Sequence, residues 1–442
     1  MHNRKTTVNA ATYMTMKIVG AAFALLNTII IARLLGARQY GLVVLVLALA
    51  NLCGTIAALG LPFLITREIA VFREAKRFWD LRHCGKLSQI IALIASVVVL
   101  VTGYIAYWAT GGFEGVGALR GIPKSLLVLS GIAVPLLALN QVRTGILRGM
   151  NRVIAADIPE TLLRPSLVLL GIGLAIMLSL TLSAERTFGV ILGSILGAFI
   201  VGRVLLRQTL WKVKGQEPSL RLDVDAASAG KMLAQAPHFL IVTLLALMDG
   251  QISIYLLAAF VGPRDVGLFQ VALQPTNVIL MGLTAASVSV QPTVASSWAQ
   301  RNIHVAQNAI QRAVRFSAFV AVCCGVMLYF LAKFIVRLYG TQFTPAATLL
   351  RVLLLGQVIC GITGPQGAVL MMTGNQKMLF YNDLAFLTLK VAVIAIGIHY
   401  LGVLGAAIGE VVYIAAMRSV GVLITYRQTG LVTMVWRTSR EH

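Results

Sequence analysis

Apolar residues run in about a dozen long stretches, separated by short polar gaps where Lys and Arg gather. Stretches of roughly 18 to 25 apolar residues are the length that crosses a bilayer as a helix. The pattern predicts spans at about 12–35, 41–66, 87–109, 125–147, 158–181 and 187–206. A second set follows at about 238–260, 267–294, 313–338, 346–372, 378–399 and 403–426. Span 1 lies between Lys17 and Arg33, each of which can extend to its own interface. The residues after Arg4 and Lys5 stay polar too long for a cleavable leader, so span 1 is expected to be a retained signal anchor.

An offset of 226 residues superimposes one half on the other. Leu35-Gly36-Ala37-Arg38-Gln39-Tyr40-Gly41-Leu42 becomes Val261-Gly262-Pro263-Arg264-Asp265-Val266-Gly267-Leu268. The same shift carries Asn51 to Asn277, Asp157 to Asp383 and Arg164 to Lys390, and Gly149 meets Gly374 one residue out of step. Two lobes of six spans each are predicted, and six being even, they form a parallel repeat about an axis along the membrane normal. The fold class is therefore all-α integral membrane, with about 12 transmembrane helices in two six-helix lobes. The predicted division is an N-lobe at 1–206, a polar cytoplasmic linker at 207–237, and a C-lobe at 238–442 ending in a short cytoplasmic tail.

Charge sets the orientation. The 37 basic residues against 15 acidic, and a pI near 10.4, raise nucleic-acid binding. A soluble basic domain does not reach a mean hydropathy of +0.86, so no nucleic-acid partner is expected. Instead 22 cations fall in alternate segments, among them Arg4, Lys5, Arg148, Lys212, Arg312 and the tail. The opposite segments hold only Arg38, Arg120, Lys124, Arg186 and Arg264. Basic residues are retained on the cytoplasmic side, which places both termini there. The five cysteines give no disulfide framework, since Cys53, Cys323, Cys324 and Cys360 fall in spans and Cys84 in a cytoplasmic loop. His83 beside Cys84 has no partner at metal-ligand spacing and reads as part of a solvated loop. No catalytic residue, metal or cofactor is implied.

Polar groups within spans are costly and mark candidate sites. Gln270, Gln274, Asn277, Thr284 and Gln291 fall on one helical face of span 8, with Pro275 and Pro292 as kink positions. Span 2 repeats this faintly with Asn51, Thr55 and Pro62. A water-lined cavity is favoured over helix-to-helix hydrogen bonding for this stripe. Asp249, with Ser253 one turn on, is the single carboxylate near the middle of a span. It reads either as a structural acid, neutral or paired, or as a cation or proton site. Lys390 lies near the midplane of span 11, with Arg164 at the matching place in the first lobe. Lys17, Arg33, Arg143 and Arg351 are further candidates to face inward, although a lone arginine such as Arg33 or Arg143 is commonly a helix-end cation. Ten cations against four acids (Glu160, Asp249, Asp383 and Glu410) predict an interior that attracts an anion, phosphate above all.

Ala32-Arg33-Leu34-Leu35-Gly36 followed by Tyr40-Gly41 resembles the end of the first span in polysaccharide-exporting flippases of the Wzx kind. Met248-Asp249-Gly250 leading to Gly262 and Val266-Gly267-Leu268-Phe269 is similar to their seventh-span signature. Gly149 with Arg152, and Gly374 with Lys377, resemble the glycine-basic loops after spans 4 and 10. Val266, where an aromatic is common, and Pro263 depart from the pattern. The resemblance implies the superfamily that joins oligosaccharide-lipid flippases, multidrug and toxic-compound exporters and the lipid II flippase. It implies a V-shaped central cavity lined by spans 1, 2, 7 and 8, and a polyprenyl-diphosphate-linked oligosaccharide as substrate.

The expectation is a bacterial inner-membrane flippase that carries a lipid-linked sugar repeat outward by alternating access, for O-antigen, capsule or exopolysaccharide synthesis. Its expected partners are that lipid-linked oligosaccharide, membrane lipids and polysaccharide polymerase machinery, with a proton or sodium ion as coupling ion. One rival is a drug or organic-cation exporter of the same fold, which would want paired acids in one lobe. Another is a membrane glycosyltransferase or polysaccharide polymerase, but such enzymes generally need a sizeable outer domain. The longest outer gap, at about 110–124, has Glu114 as its one acid.

Overall fold

The computed structural model describes residues 2–75, 77–109, 122–212 and 226–435. Among these there is no strand. In hydrocarbon every backbone N–H and C=O must be satisfied within its own segment, and helices do that for apolar runs of this length. The first helices are α1 His2–Ala57, α2 Leu61–Glu74, α3 Phe78–Ala109, α4 Lys124–Gly149 and α5 Val153–Ile158. A π-turn at Pro159–Leu163 leads into α6 Arg164–Met177, followed by α7 Ala184–Lys212 and α8 Ala226–Phe260. Then come α9 Pro263–Leu273, a 3₁₀ turn at Gln274–Thr276, α10 Asn277–Ala299 and α11 Ile303–Tyr339. The chain closes with α12 Ala346–Thr363, α13 Gln366–Met372 and α14 Gln376–Thr429.

Ten helical stretches among the described residues are long and apolar enough to cross a membrane. The two longest helices are each broken at a glycine: α1 at Gly36 (φ 75°, ψ 170°) and α14 at Gly402 (φ 58°, ψ −137°). These are the places where the sequence puts the junctions between spans 1 and 2 and between spans 11 and 12. Gly262, the repeat partner of Gly36, holds the same backbone region (φ 127°, ψ 177°), which is open essentially to glycine alone.

Several expected boundaries shift for local reasons. Span 2 ends early, at Ala57, because Leu59 and Gly60 turn through positive φ and Pro62 then starts α2 afresh. Pro275 breaks span 8 into a 3₁₀ turn, whereas Pro292 stays inside α10. Cys84, expected in a cytoplasmic loop, is buried within α3, because the amphipathic start of that helix packs with Leu61, Ile65 and Ile146. Residues 213–225 of the expected linker, and Glu114 and Arg120 of the outer gap, lie outside the described residues.

Small residues mark the buried side of the long helix α11, and phenylalanines its exposed side. On α11, Ala306, Ala321, Gly325 and Ala332 are buried, while Phe316, Phe319, Phe330 and Phe334 are exposed. Small residues let helices approach closely, and the large ones meet lipid. The chain forms two compact units, one of residues 1–35 and 42–247, the other of residues 36–41 and 248–442. The repeat motif meets itself in the second unit. A Cβ on Gly41 would fall on the carbonyl oxygen of Pro263, and one on Gly267 would fall on that of Ala37. Because Ala37 maps to Pro263 and Gly41 to Gly267, this crossing is self-complementary.

Candidate functional site

Each unit buries one charged cluster. In the second unit the hub is Lys390, whose side chain is 2% exposed. Its Nζ lies 3.1 Å from Asp249 Oδ1 and 2.8 Å from Glu410 Oε1, and also donates to the Asp249 carbonyl oxygen. The ammonium sits 4.6 Å from the centroid of the Tyr413 ring. Tyr413 donates its hydroxyl to Asp249 Oδ1 at 2.6 Å, and Ser253 donates to Glu410 Oε2 at 2.7 Å. One cation thus faces two carboxylates, so the formal charge of the group is −1. Asp249 is its open end, with a side chain 51% exposed, whereas that of Glu410 is 13% exposed.

The local fold explains the assembly. Beyond the Gly402 break, α14 doubles back so that Gly397 lies against Gly405, and Ile394 against Gly409. One further turn along that register brings Lys390 level with Tyr413 and Glu410. The second carboxylate, Asp249, comes from α8, where Ser253 lies one turn beyond it.

In the first unit the hub is Asp157, 4% exposed. Lys17 Nζ reaches Asp157 Oδ2 at 3.0 Å, Arg148 reaches Oδ1 at 2.9 Å, and Tyr13 donates to Oδ2 at 2.7 Å. The π-turn beside it has a plain cause. Pro165 has no N–H to return to Thr161, so the helix re-registers between Pro159 and Arg164. α1 docks on this altered backbone: Asn27 donates to the Pro165 carbonyl at 2.8 Å, and Gly20 packs on the Thr161 carbonyl. Glu160 in the turn pairs with Arg164 at 3.3 Å. Arg143, 1% exposed, donates Nε to Asn140 Oδ1 at 3.2 Å, and its two terminal nitrogens find no partner among the described residues. Four cations here face two acids, Asp157 and Glu160, so this cluster carries a formal excess of positive charge.

The residues singled out in the sequence therefore separate. Lys390 is no free cation, and Asp249 no isolated acid, because each neutralises the other. Arg164 and Lys390, matched by the repeat, both carry carboxylate partners, but from different positions. Arg143 is a core cation and not a helix-end one, since it lies inside α4 with its guanidinium against Gly202. Lys17 is 39% exposed and Arg33 is exposed. Arg351 lies against Tyr329, its Nε donating to that residue's carbonyl at 3.3 Å. On the span 8 stripe Asn277 and Thr284 are exposed, and their bonds stay within the span, to Gln274 of the 3₁₀ turn and to Leu280. Gln270 and Gln274 are half-buried, and Asn51 donates to Leu47 within α1. Glu410 was visible as an intramembrane acid, Asp157 as the repeat partner of Asp383 and Arg148 as a cytoplasmic cation, but nothing in the sequence joined them to their partners or marked Tyr413 and Tyr13.

The family model described as "Polysaccharide biosynthesis protein" matches residues 7–298, and the model described as "MatE" matches residues 237–396. No curated protein matches the chain. Among solved structures, an inward-facing multidrug resistance MATE family transporter of the MOP superfamily is similar at a TM-score of 0.70 and 16% identity, covering 94% of this chain and 98% of that one. A MOP superfamily transporter from Pyrococcus furiosus, described as having a binding pocket of reverse polarity, matches at 0.63 and 18%, with 94% and 93% covered. The lipid II flippase MurJ, in an inward closed conformation, matches at 0.66 and 15%, with 95% and 87% covered. At these identities the structures speak for the fold, and the sequence model speaks for the family. The chain belongs to the polysaccharide biosynthesis protein family, and it is a multi-pass membrane protein with the fold of these transporters.

Proposed function

We propose that the chain flips a polyprenyl-diphosphate-linked oligosaccharide from the cytoplasmic to the periplasmic leaflet of a bacterial inner membrane. The carrying observation is the family match over residues 7–298, joined to the surplus of cations around Asp157 in that same stretch. In this reading Lys17, Arg33 and Arg148, all open to an incoming ligand, hold the diphosphate. Arg143 and Arg164 add positive potential from behind. A guanidinium fork or an ammonium satisfies phosphate oxygens without covalent chemistry. Carrying an anion outward down an inside-negative potential gains about 2.3 kcal/mol per charge per 100 mV.

Lys390 takes a different part in this reading. Its two carboxylates leave it no charge to offer a diphosphate, so the group serves as the coupling site, with Asp249 taking up a proton or sodium ion at its open end. The test is flipping of a fluorescent lipid-linked oligosaccharide in proteoliposomes. Asp249→Asn should retain expression and slow flipping at least tenfold; an unchanged rate would leave Asp249 a structural acid.

The negative Lys390 group also favours a second reading, export of an organic cation. Drug resistance conferred on a sensitive host, with no flipping of lipid-linked sugar, would decide for it.

The orientation carries its own prediction. Single cysteines at Arg38 and Arg264, in a background lacking the five native cysteines, should react with an impermeant reagent added to intact cells. A cysteine at Lys212 should react only after lysis. Labelling at Lys212 from outside would invert the topology.

A further inference from the structure

Between α10 and α11 lies a pocket of about 430 Å³, a size typical of small-molecule sites. Ser289, Thr293, Asn308, Arg312 and Phe316 line it. Its floor is firm, since Val290 and Ala313 belong to the buried core that includes Ile310 and Val314. Among the described residues Arg312, Asn308 and the Thr293 hydroxyl have no hydrogen-bond or ion-pair partner. No acid of the neighbouring sequence can neutralise Arg312, because the chain carries no Asp or Glu from Val266 to Asn382. An unpaired guanidinium beside an amide and a hydroxyl is a donor set for phosphate oxygens.

Depth agrees with that chemistry. The 37 residues of α11 extend about 56 Å, against a hydrocarbon core of about 30 Å. Centred on the core, the helix projects about 13 Å at each end. Arg312 lies nine residues after Ile303, or about 14 Å along, which is the boundary between hydrocarbon and headgroups. The exposed rings of Phe316 and Phe319 continue from it along the lipid-facing side.

We propose that this pocket docks a lipid phosphate in the cytoplasmic leaflet, its oxygens on Arg312, Asn308 and Thr293 and its chain along the phenylalanine face of α11. The choice of leaflet rests on the orientation proposed above. Both a phospholipid and a polyprenyl diphosphate carry this chemistry, and the experiment separates them. The full chain, in nanodiscs of neutral lipid, is titrated with farnesyl diphosphate, with dioleoylphosphatidylglycerol and with inorganic phosphate. Arg312→Gln should weaken binding of at least one of the two lipids about tenfold, as expected for loss of a charge-assisted contact. Arg312→Lys should lose less, and Arg315→Gln, the same charge change outside the pocket lining, should stay within about twofold of the parent. Both lipids binding Arg312→Gln as tightly as the parent overturns the proposal, and so does an equal loss in Arg315→Gln. Inorganic phosphate binding as tightly as the lipids overturns it too, because the chain would then contribute nothing. Unchanged binding by Arg312→Gln, with lipid-linked sugar still flipped by the parent, removes this pocket alone. A parent that binds phosphatidylglycerol through Arg312 yet flips nothing removes the proposed function alone.

Discussion

Lys390→Met should destabilise the protein by about 3–5 kcal/mol, the range found when one partner of a buried ion pair is removed. Lys390 is 2% exposed and is the cation that holds Asp249 and Glu410 together. Without it two carboxylates face each other with no cation between them. The half-exposed side chain of Asp249 gains relief from water, so most of the cost falls on Glu410, at 13% exposure. The double variant Lys390→Met, Glu410→Gln should therefore recover much of the loss, and a double-mutant cycle read by denaturant unfolding in detergent measures the coupling. Strict additivity of the two changes would show that the ion pair is not formed. Lys390→Arg should fall between, keeping the charge but forcing a planar fork into a site shaped for an ammonium. The sequence alone read Lys390 as a cation near the midplane, available to attract an anion. Burial reverses that expectation.

That reversal shows where the sequence stops being legible. Spans could be read because hydrocarbon demands length and apolarity at every position, and the repeat because Gly36 and Gly262 both need a backbone region closed to other residues. Lys390 and Asp249 were each visible as intramembrane charges. Their pairing was not, because 141 residues separate them and a hydropathy pattern says nothing of which span neighbours which. The Lys390–Glu410 contact was closer to reach. Gly397 and Gly405 flank a glycine break, and taking them as the close contact of an antiparallel hairpin gives the register that brings Glu410 and Tyr413 to Lys390. Asp157 was harder still. It was placed just before span 5, so it stayed out of the count of intramembrane acids, and an interior with fewer acids looked more positive than it is. The surplus survives only in the cluster around Asp157.

Gly41→Ala should cost about 1–3 kcal/mol or more, the range for forcing extra atoms into packed structure, through a single methyl group. The obstacles are the Pro263 carbonyl and, at 3.0 Å, the Gly267 nitrogen. Both are backbone atoms, so no rotamer change can make room, and relief requires the start of α9 to move away from residues 37–41. Every dispersion contact along the crossing weakens with such a shift, since a gap of 0.5–1 Å already forfeits a quarter to a half of each. The self-complementary geometry makes Gly267→Ala equally informative, because its methyl would meet the Ala37 carbonyl. Gly193→Ala on α7 is the control. A Cβ there meets nothing within 4 Å, so the change should be neutral or stabilise by up to about 1 kcal/mol through helix propensity. Unfolding midpoints in detergent and flipping in proteoliposomes are compared across the three variants. If Gly41→Ala and Gly267→Ala match Gly193→Ala in both, the two copies of the motif do not cross in the folded protein. A loss confined to the first two would make the glycines of the repeat a packing requirement of the crossing itself, which is a physical reason for the motif to occur twice at one offset.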